Sequence, residues 1–105
     1  MRRDIALVHA TFGSSDEAER IGRAMVETRR AACVNLLGAC RSVYRWNGAV
    51  ETGDEYRALF KTTPERARDL ADAIAAAHSY DLPVVEIWPA AASDAIAQWV
   101  EAETR

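Results

Sequence analysis

The spacing of hydrophobic residues changes within the first third of the chain. It divides this part into a continuous apolar run and a segment with a helical period. Residues 4–11 (DIALVHAT) form an apolar run of strand length. The following segment repeats apolar residues at helical spacing on one side, at Ala18, Ile21, Gly22 and Met25. Ser14, three residues before Glu17, matches a capping box at the start of this helix. The sequence therefore predicts a strand followed by an amphipathic helix.

The middle of the chain has no helical period and is rich in β-branched and aromatic residues. Residues 31–46 (AACVNLLGACRSVYRW) predict one long strand, and Gly38 in its middle predicts a bulge or bend. The dipeptide Asn47-Gly48 predicts a tight hairpin turn. A second strand is expected to return through Thr62, with an interruption near residues 52–54.

The last third of the chain predicts a helix, a strand and a helix. Thr63 as N-cap and Pro64 at the first helical position begin the first of these helices. Its apolar residues recur at helical spacing, at Ala67, Leu70, Ala71, Ile74 and Ala77. Residues 83–89 (PVVEIWP) predict a short strand. Ser93 is expected to cap a final helix, whose inward-facing residues are predicted to be Ile96, Trp99 and Val100.

The order of these elements restricts the topology. Both strand–helix–strand crossovers have ordinary lengths, and such crossovers are almost always right-handed. The α+β, ferredoxin-like βαββαβ arrangement, with an extra C-terminal helix and a long bent hairpin, satisfies both conditions. The 105 residues, half of them hydrophobic, are expected to form one domain over residues 1–105.

Charge and apolar run length exclude two classes of partner. The net charge is -3, and 13 basic residues are scattered among 16 acidic ones without a basic block. Nucleic acids and anionic membranes select a concentrated basic patch, so neither is expected as a partner. No apolar run has the length of a membrane span or a signal peptide core, which predicts a cytoplasmic protein.

The two cysteines give no redox motif. Cys33 and Cys40 are seven residues apart in the predicted long strand. Because strand side chains alternate between faces, this spacing places them on opposite faces, where a disulfide is not expected. Both are interpreted as small buried thiols.

The predicted hairpin is longer than one subunit of this size needs. Its arms of about 15 residues exceed the usual strand of roughly 5 to 6, and they span about 50 Å at ~3.3 Å per residue. The tip therefore either projects beyond its own core or curls back over its own sheet at Gly38 and Gly53. A projecting tip exposes Tyr44 and Trp46, which a partner subunit would cover. The first alternative predicts an oligomer.

Several short motifs together resemble one known family over about residues 5–102. They are AACVN (31–35), SVYRWNG (42–48), Glu55, KTT (61–63), HSY (78–80) with Pro83, and Trp99. In this order and spacing they resemble the CutA divalent-cation-tolerance family. The resemblance implies a ferredoxin-like subunit in a tight homotrimer similar to the PII signalling proteins, linked to tolerance of copper and other divalent ions. We place the trimer interface at Tyr44, Trp46 and Trp99.

The chain departs from the family pattern at three places. His78-Ser79-Tyr80 stands where members usually have His-Pro-Tyr, and Val84 stands where a glutamate commonly follows the proline. A cysteine that some members carry at the end of the first strand is replaced by Ala10 or Phe12.

Three side chains are candidates for a divalent metal site. Imidazole nitrogens and carboxylate oxygens are common ligands of such ions. His78 at the end of the second helix, Glu86 on the last strand and His9 on the first strand supply them. No HxxxH, HxH or CxxC spacing joins these residues, and a structural role for His78 at a helix C-terminus is the alternative. Weak binding of Cu²⁺ or another divalent cation is expected.

A second candidate site is an intersubunit cleft. By strand parity Glu55, Arg57 and Lys61 share one face of the third strand, whereas Tyr56, Ala58 and Phe60 face the core. With Asn35 and Tyr80, the residues Glu55 and Lys61 could line a cleft that takes an anion or metabolite, as in a PII-like sensor. The alternative is a solvated or ion-paired face. Cys33 lies in an apolar run without a neighbouring base, so an enzyme is not expected.

Overall fold

The protein, described over residues 1–105 by a computed structural model, is a four-stranded antiparallel sheet with three helices. The elements are β1 (Arg2–Phe12), α1 (Ser15–Glu27), β2 (Cys33–Trp46), β3 (Ala49–Thr62), α2 (Ala67–Ala77), β4 (Val85–Ser93) and α3 (Asp94–Glu103). The strand order β2-β3-β1-β4 is that of the ferredoxin-like βαββαβ fold, followed by an extra helix. The predicted fold is confirmed. None of the three helices has both the length and the apolar character that a membrane crossing requires.

One face of the sheet packs against α1 and α2 and forms the main core. Strand parity sends alternate side chains of β1 and β3 to this face. The core residues are Ala6, Val8, Ala10, Phe12, Ala18, Ile21, Met25, Ala31, Ala58, Phe60, Ala67, Leu70 and Ile74. Tyr56 packs at the margin of this core, so the predicted inward face of β3 is confirmed.

The opposite face of the sheet is covered by α3 at one end only. Ile5 and Ala32 pack against Ala97 and Val100 in a small second core. Val100 is buried as predicted, but Trp99 remains 43% exposed and Ile96 is also exposed. The expectation that both face inward is therefore wrong for the single chain. A ten-residue helix with one narrow apolar stripe buries Ala97 and Val100 and turns its larger residues outward.

The helix starts follow the predicted caps in two of three cases. The hydroxyls of Ser14 and Ser93 accept hydrogen bonds from the third residue of their helices, as predicted. For α2 the predicted start is wrong by one turn: the helix begins at Ala67, although Thr63 Oγ1 accepts the Arg66 N–H at 3.2 Å. Residues 64–66 form a turn ahead of the helix.

The β2–β3 hairpin extends beyond the rest of the sheet. β1 pairs only with residues 56–62 of β3, so residues 49–55 pair with β2 alone. The subunit is accordingly elongated, with principal extents of 47 × 25 × 21 Å. The tip projects and does not curl back. The predicted interruption near residues 52–54 is wrong, because Gly53 pairs with Ser42 inside a continuous strand.

A bulge at Gly38 divides β2 into two registers. The register shifts between Leu36 and Gly38, and Gly38 adopts φ +87°, which confirms the predicted bulge. The extra residue reverses strand parity beyond it. Cys33 pairs with Lys61 and Cys40 with Glu55, so both cysteines lie on the same face, contrary to prediction. They are half-buried, unpaired and roughly 20 Å apart along the strand.

The hairpin turn predicted at Asn47-Gly48 is present. Asn47 and Gly48 adopt φ angles of 50° and 81°. Positive φ at both central residues is the type I′ geometry, whose twist matches that of the two arms.

Candidate functional site

A polar network joins three strands on the partly covered face of the sheet. His9 Nδ1 lies 3.0 Å from Glu86 Oε1, and Arg57 Nε donates to His9 Nε2 at 2.9 Å. An arginine Nε always carries hydrogen, so His9 Nε2 is the acceptor and Nδ1 donates to Glu86. The imidazole also stacks on Trp88, with ring centroids 5.1 Å apart. His9 is only 8% exposed, and its tautomer is fixed by its two neighbours.

His78 lies on the other face, at the end of α2. It is the residue after the last turn, and its ring stacks on Phe12 at 4.8 Å. Its Nδ1 accepts the Tyr80 N–H at 3.1 Å, so Nε2 carries the proton and donates to the Thr11 carbonyl at 2.7 Å. The Nε2 bond thus holds the segment after α2 against the end of β1, and the Nδ1 bond fixes the turn within that segment.

The three predicted metal ligands do not converge within one chain. The chain brings His9 and Glu86 together, as expected for neighbours on paired strands. His78 lies across the sheet, because Phe12 and His9 have opposite strand parity. The chain contains no group of three His, Cys, Asp or Glu side chains arranged to hold a metal ion. Within one chain only His9 and Glu86 meet, and a metal site that includes His78 stays a prediction.

A buried carboxylate fixes the segment that carries His78. Glu17 Oε2 accepts the backbone N–H of Ser79 at 2.9 Å and so does not close the predicted capping box with Ser14. Burial alone would raise the pKa of Glu17. The hydrogen bonds from Ser79, followed by the electrostatic effect of the nearby His78 ring and a hydrogen bond from the Gly13 backbone, act in the opposite direction. Together they outweigh burial and lower the pKa of Glu17 below its usual 4.5.

Tyr80 crosses from this segment to the hairpin. Its hydroxyl donates to Glu55 Oε2 at 3.1 Å. Burial, followed by the hydrogen bond and the negative charge of Glu55, raises the pKa of Tyr80 to about 12. A β-carbon on Gly13 would meet the Tyr80 ring at 3.3 Å, so the close approach of the ring depends on that glycine.

The four predicted cleft residues form two separate pairs in the chain. Lys61 Nζ donates to Asn35 Oδ1 at 2.6 Å, while Tyr80 bonds to Glu55. Lys61 and Glu55 are six residues apart on β3, which is roughly 20 Å. A single cleft lined by all four would require a second subunit, and the intersubunit cleft stays a prediction.

The predicted interface aromatics are exposed in the single chain. Tyr44 and Trp46 are each 44% exposed on the projecting hairpin. Trp99 lies on α3, on the outer side of the helix. Together with the free edges of β2 and β4, these aromatics leave apolar surface uncovered.

Sequence reasoning missed several residues of these networks. Arg57 and Trp88 flank His9, and Glu17 with Ser79 supports His78. Arg57 had a detectable signal, because its strand parity placed it on the charged face of β3. The Glu17–Ser79 contact joins residues 62 positions apart and has no local signal.

Comparison with known proteins agrees with this architecture. A family model described as CutA1 divalent ion tolerance protein matches residues 6–103. A divalent-cation tolerance protein CutA of Thermotoga maritima is 37% identical over 79 residues, covering 75% of this chain and 77% of that protein. One of Pectobacterium atrosepticum is 31% identical over 103 residues, covering 97% and 94%.

Solved structures show the same fold. The crystal structure of CutA from Xylella fastidiosa superposes with a TM-score of 0.93 at 31% identity, covering 98% of this chain and all of that one. The resemblance found in the sequence motifs is thus confirmed by sequence and by structure. The chain belongs to the CutA1 divalent ion tolerance family.

Proposed function

We propose that this chain forms a homotrimer of the CutA type that takes part in divalent cation response without being an enzyme. In this proposal it binds copper or another divalent cation weakly. Membership of a family named for ion tolerance, and not for a reaction, supports the functional part. The projecting aromatic hairpin is the observation that carries the assembly part.

In an isolated subunit the hairpin leaves strand edges unpaired and apolar side chains exposed. Residues 49–55 pair only with β2, and the side chains of Tyr44 and Trp46 are partly exposed to solvent. An exposed ribbon with apolar side chains invites pairing with other chains. A specific neighbouring subunit satisfies the open strand edges and covers the aromatics. Light scattering at micromolar protein is expected to give the mass of three chains, and a stable monomer mass would contradict the proposal.

The metal part depends on the His9–Glu86 pair. One imidazole and one carboxylate are suitable ligands, and Cu²⁺ has the highest affinity in the divalent series. The pair does not fit a tight site, because Arg57 occupies His9 Nε2 and no third ligand is present in the chain. A cation must displace Arg57 or share the carboxylate. These contacts support an affinity for copper no tighter than about micromolar, or roughly -8 kcal/mol.

Calorimetric titration of the metal-free protein with Cu²⁺ tests the metal part. His9→Ala is expected to abolish the weak binding, whereas His78→Ala, on the other face of the sheet, serves as the matched control and retains it. Nanomolar affinity, or loss only with His78→Ala, would contradict the assignment. Chelator treatment should leave the assembled mass unchanged, because the proposed subunit contacts do not involve metal.

A second candidate function is a PII-like sensor for an anionic metabolite. Lys61 favours it: the ammonium is held by the neutral Asn35 amide and has no carboxylate partner in the chain. A thermal-shift screen of anionic metabolites tests it, since a ligand at 100 times its Kd stabilises by roughly 2.7 kcal/mol. The shift should disappear with Lys61→Met and persist with His9→Ala.

A further inference from the structure

Both charged side chains of the His9 network keep polar atoms without a partner in the chain. Arg57 uses only its Nε in the chain, and its two terminal nitrogens make no hydrogen bond or ion pair there. Glu86 uses only Oε1, for His9. An arginine with two free terminal nitrogens and a carboxylate with one free oxygen therefore lie on the same face of the sheet.

These two groups cannot satisfy each other within the chain. Each bonds to a different nitrogen of the same imidazole, so the His9 ring lies between them. Their strands, β3 and β4, lie on either side of β1. Two strand spacings separate the backbones by roughly 10 Å. Arg57 and Glu86 are therefore held apart by the same ring.

The surface around them is apolar and is not covered by α3. Trp88 stacks on His9 and remains exposed, and Leu59 is the residue that pairs with His9 on β3. The second core under α3 involves Ile5 and Val100, at the other end of this face. A flat aromatic surface beside one donor and one acceptor is therefore open to a partner.

The charge pattern selects the kind of partner. A polyanion such as a nucleic acid would meet the Glu86 carboxylate, and a basic peptide would meet the Arg57 guanidinium. A second copy of this chain supplies an acceptor for every donor and a donor for every acceptor. β4, which carries Glu86 and Trp88, is also a free edge of the sheet and adjoins the surface that the proposed assembly must cover.

We infer that Arg57 of one subunit pairs with Glu86 of the partner subunit, with His9 holding both side chains in position and Trp88 packed beside the pair. This inference rests on the proposed homotrimer and specifies a contact within it. It is also consistent with the weak metal binding proposed above, because a cation at Glu86 would compete with an ion pair. Partly desolvated charge pairs between subunits couple strongly, and removing one partner leaves the other uncompensated.

Charge reversal with sizing is the first test. Arg57→Glu and Glu86→Arg are each expected to weaken assembly at least tenfold in sedimentation at decreasing protein concentration. The double reversal Arg57→Glu with Glu86→Arg should recover most of the loss. Arg68→Glu makes the same change of net charge as Arg57→Glu at an exposed position of α2 and should have no effect. Assembly unchanged in both single variants would overturn the inference.

Zero-length coupling locates the contact, because Lys61 is the only lysine of the chain. A chain with Lys61→Arg and Arg57→Lys carries its single lysine amine at position 57. Carbodiimide joins that amine only to a carboxylate in direct contact. We expect covalent dimers and trimers on a denaturing gel, with peptides containing positions 57 and 86 joined, and their loss on adding Glu86→Gln.

The outcomes separate this inference from the proposed function. Wild-type protein that is monomeric by light scattering would overturn the trimer itself. An oligomer that gives only monomer bands after coupling, together with unaffected charge-reversal variants, would leave the trimer in place and overturn the Arg57–Glu86 contact. Where the chain carrying Arg57→Lys does not assemble, the charge-reversal variants alone decide.

Discussion

At the residue scale, the contact between Glu17 and Ser79 shows what a serine at position 79 adds to the local chemistry. The Ser79 N–H that donates to Glu17 would be absent in a proline at this position. The preceding residue, His78, has φ -74° and ψ 148°, which a following proline tolerates. The serine therefore adds a charged hydrogen bond in a backbone conformation that a proline would also accept.

Ser79→Pro is expected to lower the free energy of unfolding by about 1–2 kcal/mol at neutral pH. A hydrogen bond to a charged group is worth about 1.5–3 kcal/mol, offset by about 0.4–1 kcal/mol from the stiffer unfolded chain. Urea unfolding of Ser79→Pro, made in the wild type and in Glu17→Gln, measures this loss of unfolding free energy. A cost that persists undiminished with Glu17→Gln would show that the carboxylate is not the partner.

The pH dependence of this contact has a defined sign. Folding lowers the pKa of Glu17 below 4.5. The ionised Glu17 carboxylate therefore contributes fully to the stability of the folded state above pH 4.5. The contribution is lost as pH falls through the lowered pKa. The stability difference between wild type and Glu17→Gln should therefore shrink in acid below about pH 4. A difference that grows on acidification would contradict the assignment.

Tyr80 provides a spectroscopic test of its bond to Glu55. The folded state raises the pKa of Tyr80 to about 12, and its contribution to stability is lost as pH rises through that value. Absorbance titration at alkaline pH should show one of the three tyrosines ionising near pH 12. Tyr80→Phe should remove that step, and Glu55→Gln should move it to lower pH. No late step in folded wild type would disprove the contact.

At the scale of the element, the Gly38 bulge sets the register of the whole outer half of β2. It places Cys40, Tyr44 and the turn relative to β3, and reverses the parity that a regular strand would have. Nothing lies within 4 Å of a β-carbon placed on Gly38, so only its backbone angle of φ +87° opposes a side chain.

Gly38→Ala is expected to destabilise the protein by roughly 1–2 kcal/mol, the cost of a left-handed conformation for an L-residue. Gly53→Ala on the same hairpin is the matched control. Its φ is not in the left-handed region, and its β-carbon would make ordinary contact with Tyr44 Oη at 3.8 Å. Thermal unfolding of both variants measures the difference. Equal stability of the two would contradict the strain argument.

At the scale of the whole molecule, the projecting hairpin is the part of the chain on which the proposed assembly depends. Trp46→Ala is expected to weaken assembly by about thirty-fold, corresponding to roughly 2 kcal/mol for truncation of an interface aromatic. Sedimentation at decreasing concentration measures this, with circular dichroism as the check that the subunit remains folded. Unchanged assembly would mean that the proposed interface does not include the tip.

The sequence alone determined the order of the elements, the hairpin turn, the bulge and the inward face of β3. Each of these depends on residues close together in the chain. The signals are a period of two or 3.6 residues, a positive φ at Gly38 or Gly48, or a capping side chain three residues before the N–H that it accepts. The family resemblance came from the same local motifs. The boundary of α2 and the continuity of β3 were misjudged, because pairing and packing outweighed local propensity there.

Only the tertiary structure decided which charged side chains meet. It placed His9 between Arg57 and Glu86 and moved His78 to the opposite face, and it gave Glu17 to Ser79 instead of the helix cap. It also placed both cysteines on one face, because a single extra residue in β2 moves every later side chain of that strand to the opposite face. Sequence periodicity reports which face a residue occupies, whereas contacts between residues distant in the chain depend on how strands are ordered and shifted in the sheet.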